Sequence, residues 1–420
     1  MNMRNRGMLA PLRRRTAWIL TGLLLLLPVA VAAQYVQTPQ QQVAGVPLHE
    51  PVIVEEYGYR LDPPSGWLLT DAEGMRLLSF ASPDGSAVVQ TMVHEDREFA
   101  DPAEMLEGIV GPLQAELLDT AGFVYAGREA LLADMRFMAG SREVRGYALL
   151  LNDPLYPLTA LAYVREDGYE TYHDFLVSFL DSLSLDGSGD GLPGPMSQFV
   201  VPFQPGRRGL SEDSVAVVLE LLDTEQEVMI DPHQADAAQV VIDREARLLT
   251  AYAGDRAPRE LQEIAWERYF RMVWRDNYAR LTPVADAWRR AAEESGLERD
   301  ELPAAVLSWL QDYDYDRPGG VSDFLNPLET IYLEQGDCDS LVLLYAAVLD
   351  QLGFDTIMMV STVHMHALAG VDVPGSGARF PFAGREWLVA ELTAPVGLGM
   401  IAQDMADPAD WMGFVFQRMY

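Results

Sequence analysis

Residues 326–352 read NPLETIYLEQGDCDSLVLLYAAVLDQL, and within them Cys338, the only cysteine of the chain, lies among acids in Gly336-Asp337-Cys338-Asp339-Ser340. Apolar side chains follow at Leu341, Leu344, Tyr345, Val348, Leu349 and Leu352, and Gly353 stands where a helix would be capped. Spacing of three and four with a terminal glycine predicts a buried helix. Cys338 falls at or just before its first turn. Unpaired N–H groups and the helix dipole there favour a thiolate, by about one pKa unit or more. A single cysteine forms no disulfide within its own chain, so Cys338 is either free and reactive or free and inert.

The residues beyond it offer a base and an acid. Strands are predicted over 356–361, 364–373 and 386–392, with a turn-rich stretch over 374–384. A histidine on the second strand and Glu391 on the third can meet as base and orienter for a cysteine nucleophile. His366 is the simplest base. His364 is the alternative, two residues away and so expected on the same strand face. Zinc at His364 and His366, with Asp372 nearby, is a further option, but it lacks enough same-face donors.

Order and spacing here resemble the transglutaminase-like superfamily, in particular its bacterial cysteine peptidases. The residues that carry this are GDCD at the helix start, His366-Ala367 on a strand, and Glu391-Leu392-Thr393 in place of a more usual Glu-Thr-Thr. The likeness extends over 305–315, 326–330 and 391–399, roughly a quarter of the chain. It implies a papain-like domain with helices packed on an antiparallel sheet, with Cys338 as nucleophile, His366 as base and Glu391 as acid. It also implies that 326–330 shapes the groove beside the nucleophile.

The N-terminus reads differently. Arg4, Arg6, Arg13, Arg14 and Arg15 precede an uncharged run over 17–33 that ends in small residues, the layout of an export signal; an uncleaved anchor is the alternative. Net charge is −33, and all 30 basic residues are arginine. Such a surface repels nucleic acid and anionic lipid, so neither is an expected partner, and no membrane association beyond the export signal is expected. A lysine-free chain also offers no side-chain amine for crosslinking to itself.

Residues 34–50, rich in glutamine, read as a disordered tail. Residues 51–186 read as an α+β domain. It has a hairpin over 77–93, a helix from Pro102 through Leu118, strands at 123–126, 130–138, 144–151 and 158–164, and a closing helix over 169–183. This order, with Pro-x-Gly-Trp near its start, resembles the PsbP/Mog1-type sandwich, which implies a binding or docking module. His94 and His173 have no paired ligand in sequence and read as ordinary surface or interface residues. Residues 187–210 read as a linker by composition. Residues 211–300 read as helical, including 215–222 after the capping stretch Ser211-Glu212-Asp213-Ser214, with Trp266, Phe270, Trp274 and Trp288 as core.

The fold expected is therefore α+β: an N-terminal α/β sandwich, then a helical region and transglutaminase-like domain over 211–420. The function expected is an exported, periplasmic or extracellular cysteine hydrolase acting on peptide or amide bonds through an acyl-thioester, with a peptide or protein substrate and no cofactor or metal. The alternative is an inactive binding or scaffold protein on the same fold.

Overall fold

The computed structural model describes residues 44–416 apart from 96–98, 186–190, 207–209, 254–256, 318–321 and 323; the expected leader and residues 34–43 of the tail lie outside the described residues. The protein mixes helix and sheet around one large antiparallel sheet. Its first half contains β1 (Val46–Pro47), β2 (Val52–Val54), β3 (Tyr59–Leu61), β4 (Leu68–Glu73), β5 (Leu77–Ala81) and β6 (Ala87–Val93). Then come α1 (Pro102–Leu113), β7 (Glu116–Tyr125), β8 (Arg128–Ala139), β9 (Arg142–Leu151), β10 (Leu158–Arg165), α2 (Tyr169–Asp181) and β11 (Ser184–Leu185). Eight strands pair in the order β1-β4-β5-β6-β10-β9-β8-β7, and β11-β3-β2 form a small second sheet.

Side chains alternate across the large sheet, and both faces are covered. Leu149 and Leu151 of β9 join Phe80, Val89, Ala160 and the α2 residues Leu176 and Phe179 on one side. Ala148 and Leu150 join Met135, Phe137 and the α1 residues Met105 and Leu106 on the other. Hence the unbroken leucines at the end of β9.

Two expectations change here. The helix predicted to run through Leu118 stops at Leu113, because Pro112 withholds an N–H in its last turn and Gln114 turns left-handed at φ 49°. Leu117 lies on β7, 43% exposed, not on a buried helix face. The end of the expected disordered tail is ordered too: Val46 and Pro47 pair with Leu69 and Leu68 at the sheet edge.

The second half begins with α3 (Pro195–Val200), β12 (Val215–Leu221), β13 (Thr224–Ile230), α4 (Pro232–Thr250), α5 (Arg259–Tyr278), α6 (Thr282–Ser295) and α7 (Leu302–Gln311). It continues with β14 (Asp314–Tyr315), α8 (Pro327–Leu333), β15 (Gln335–Gly336), α9 (Cys338–Gln351), β16 (Thr356–Ser361), β17 (His366–Val371), β18 (Arg379–Phe382), β19 (Arg385–Ala390) and β20 (Met412–Val415). The predicted helix over 215–222 is instead the first strand of a hairpin. Val215, Val217, Leu219 and Leu221 point inward in alternation, β-branched residues favour the strand, and Leu222 and Asp223 take φ of 50° and 61° in a two-residue turn.

Helix α9 is the hub. Leu341 to Leu349 are buried on every face, between β16 and β17 of the antiparallel sheet β18-β19-β17-β16-β20 and the helices α5, α6, α7 and α8. A helix apolar all round belongs in a core. The aromatic residues Phe270, Trp274 and Trp288 are likewise core. No helix among the described residues is long and apolar enough to cross a membrane.

The two halves are joined by buried charge. Arg244 of α4 donates to Asp181 at the end of α2 at 2.7 Å and to its neighbour Glu245 at 2.8 Å; Arg268 of α5 reaches Glu245 and Ser178, each at 2.8 Å. Arg275 donates to the carbonyls of Asp181, Ser182 and Leu183 at 3.0, 2.7 and 2.7 Å, so a guanidinium satisfies the C-terminal end of α2. The expected linker over 187–210 is not a free tether throughout, since α3 within it is largely buried and the Met196 and Ser197 amides donate to Asp181. Arg244→Ala strips a buried carboxylate of its ion partner. It is expected to cost about 3–5 kcal/mol, read as a lowered melting temperature, with Arg244→Met losing less.

Candidate active site

Asp337 caps α9: its Oδ1 accepts from the Ser340 amide at 2.9 Å, so Cys338 becomes the first helical residue. Ser340 Oγ in turn accepts from the Leu325 amide at 2.9 Å, which ties the segment before α8 to the start of α9. Asn326 caps α8 at the Glu329 amide, and its own amide donates to Gln239 at 3.0 Å. Strand β14 pairs in parallel with β15, bringing Tyr315 and Arg317 toward the residues ahead of the cysteine.

Cys338 is 1% exposed. Its sulfur accepts the Ala367 amide and lies 4.0 Å from Arg317 Nη2; the His366 ring is not among its hydrogen-bond partners. Arg317 donates to the Tyr315 hydroxyl at 3.0 Å and is itself exposed. The expectation of a lowered thiol pKa does not survive this environment. Burial, then the charges of Asp339 and Asp337, push the thiol up to about 12, and the Ala367 amide and Arg317 only partly offset them. Desolvation and two nearby anions outweigh what one helix terminus supplies.

His366 opens β17 opposite Ser361, and its Nε2 stands 2.9 Å from Glu391 Oε2. Both side chains are largely buried. Glu391 follows β19, and its other oxygen accepts the Thr393 amide at 2.7 Å and hydroxyl at 2.8 Å. Burial pushes this carboxyl up, but the His366 and Thr393 bonds outweigh it and hold the group below its usual range. Glu391 therefore stays ionised and accepts a hydrogen bond from Nε2–H of the neutral ring, which leaves Nδ1 of His366 as the lone-pair nitrogen. Ala367, whose amide is bonded to the Cys338 sulfur, directly follows His366, so the start of β17 lies against the start of α9.

His364 is not on the same strand face as His366. A turn over 362–365, with Met365 at φ 51°, lifts it off β17. Its Nε2 bonds Asp410 at 3.1 Å and its ring stacks on Trp411 at 5.7 Å, while Trp411 meets His366 edge-on at 6.4 Å. Each histidine thus has its own carboxylate across one indole. Asp372 pairs with Arg385 at 3.0 Å, so the set considered for zinc is not assembled. Among the described residues the potential metal ligands that cluster are Asp337, Cys338 and Asp339, consecutive in the chain and without a histidine. Outside this region His94 bonds Thr159 and His173 bonds Tyr147.

Four residues of the site were not singled out from sequence. Thr393 had a local signal, a hydroxyl residue two positions after a carboxylate. Arg317, Trp411 and Gln311, which donates to the Glu391 carbonyl at 2.7 Å, come from distant loops and a helix end with no periodic mark.

No protein-family model matches the chain, and no curated protein is matched by its sequence. The solution structure of cyanobacterial PsbP (CyanoP) from Synechocystis sp. PCC 6803 has a TM-score of 0.28 at 15% identity, over 35% of this chain and 98% of that one. LpqN, involved in cell envelope biogenesis of Mycobacterium tuberculosis, has a TM-score of 0.22 at 15% identity, over 33% of this chain and 90% of its own. A protein from Bacteroides thetaiotaomicron VPI-5482 has a TM-score of 0.24 at 8% identity, over 53% and 77%. These likenesses are weak and partial.

Proposed function

We propose that the chain is an exported cysteine hydrolase, similar to the transglutaminase-like peptidases, that cleaves peptide or amide bonds through an acyl-thioester. The observation that carries this is the buried 2.9 Å pair of His366 and Glu391 beside the residue whose amide holds Cys338 Sγ. Because the thiol rests protonated, its proton moves to His366 Nδ1 as sulfur attacks the carbonyl carbon. First-turn N–H groups of α9 face the developing oxyanion, and loss of such a donor costs about 3 kcal/mol. The imidazolium then protonates the departing amine, leaving the acyl group on sulfur. Water attacks the thioester, gives its proton to Nδ1, and the thiol is restored. Glu391 holds the ring throughout. With an amine in place of water the same intermediate gives transfer; an external compartment favours hydrolysis, and the acidic surface favours cationic peptides. The N-terminal sandwich, PsbP/Mog1-like in this reading, presents or docks the substrate.

A second reading, a catalytically silent member of the same fold, is favoured by one specific observation, the nearly complete burial of Cys338. Mass spectrometry of a casein-peptide mixture incubated with the mature chain separates the two. New termini or deamidated side chains are expected, falling at least about a thousandfold in Cys338→Ala. Cleavage that persists in Cys338→Ala overturns the hydrolase reading, and a total lack of turnover by the unmodified chain supports the silent one.

A further inference from the structure

Chemistry at Cys338 has to create negative charge in a place already crowded with it. Asp337 and Asp339 adjoin the cysteine, and their charges act on the sulfur. Two groups offset them, and one of these, the Ala367 amide, is neutral. Arg317 alone of the pair brings a full positive charge, with Nη2 4.0 Å from Sγ.

That guanidinium is not spent elsewhere. Its Nε donates to the Tyr315 hydroxyl at 3.0 Å, an uncharged acceptor, and it forms no ion pair with a carboxylate of the described residues. Its approach is set by backbone. Tyr315 pairs with Gly336, two residues before the cysteine, and the Asp316 amide donates to the Gly336 carbonyl at 3.1 Å. The chain is therefore pinned beside the start of α9 up to the residue before Arg317. Sγ itself lies in a residue that is 1% exposed, where a cation is felt more than in water.

We propose that Arg317 is a catalytic residue of this centre, the counter-ion that holds the negative charge developing on Cys338 Sγ as its proton leaves. The role rests on the hydrolase reading for its place in a reaction, but the contact with sulfur does not need turnover. In the attack the thiol proton goes to His366 Nδ1, a sulfur lone pair forms the bond to carbon, and the carbonyl π pair moves to oxygen. Arg317 stays protonated throughout and supplies charge and an N–H donor.

Alkylation of the mature full chain at low salt tests it. Iodoacetate and iodoacetamide each form one C–S bond and release iodide, and they differ in charge, so the ratio of their rate constants reports the field at the sulfur. A change in thiol basicity or in access moves both rates together. Arg317→Gln is expected to lower the iodoacetate-to-iodoacetamide ratio about fivefold or more, the effect of one unit charge at 4 Å even in water. Arg317→Lys is expected to return the ratio to within about twofold of the unmodified chain, and neither exchange of this exposed residue is expected to move the melting temperature. On casein peptides Arg317→Gln is expected to lower kcat about tenfold with KM little changed, and Arg317→Lys to restore part of it. A ratio that Arg317→Gln leaves unchanged overturns the proposal, including the case in which both reagents react faster by the same factor and Arg317 is only a cover. So does a kcat held within about twofold in a chain that turns over. An unmodified chain without turnover fells the hydrolase reading, and the alkylation ratio still decides whether Arg317 is the counter-ion of the sulfur.

Discussion

His366→Ala is expected to lower amide hydrolysis about a thousandfold, whereas His364→Ala in the same assay is expected to stay within about tenfold of the unmodified chain. The two residues are separated by one position in sequence but by a turn in space. His366 is oriented by an ionised Glu391 that Thr393 fixes in turn, and it adjoins the residue that holds the sulfur. His364 is spent on Asp410 beneath the face of Trp411. Kinetics with both variants decide the matter. A loss of equal size in the two, or a larger one in His364→Ala, removes His366 from the role of base. Glu391→Gln belongs to the same test, since an amide in that place no longer selects the tautomer, and its effect is expected to approach that of the histidine.

The second large effect concerns the resting thiol. With its pKa pushed up to about 12, Cys338 of the ligand-free chain is nearly all protonated at neutral pH. Against an ordinary thiol near 8.5, the thiolate fraction at pH 7 is lower by about three to four orders of magnitude. The greater intrinsic nucleophilicity of a more basic sulfur recovers part of this. Iodoacetamide labelling is therefore expected to run about a hundredfold slower than for a free thiol, and burial slows it further. The rate is expected to climb about tenfold per pH unit with no plateau between pH 6 and 9. The groups that set this are Asp337 and Asp339 on one side and Arg317 and the Ala367 amide on the other. An inflection below pH 7 in the labelling profile would show a preformed thiolate and imidazolium pair, and would sink the account of a proton that moves only as the bond to carbon forms.

Much of the cysteine-bearing half was legible from its residues. The apolar run at spacings of three and four behind Cys338 announces a buried helix and Gly353 its end; both are local signals, and α9 begins and ends within a residue or two of where they point. The meeting of His366 with Glu391 was also inferable, because neighbouring antiparallel strands bring such positions together. What failed were places where the backbone takes a left-handed turn without glycine. Leu222 and Asp223 conceal a hairpin, Met365 conceals the corner that parts the two histidines, and Gln114 conceals the end of α1. The acidity of Cys338 was misjudged for another reason. Helix position is written in the sequence, but depth beneath the surface depends on what packs over it.

The arginine lattice between α2, α4 and α5 has a mechanical corollary. Guanidiniums that hold buried carbonyls and carboxylates tie the large-sheet half to the cysteine-bearing half at several points. A force applied to one half is passed to the other through these bonds.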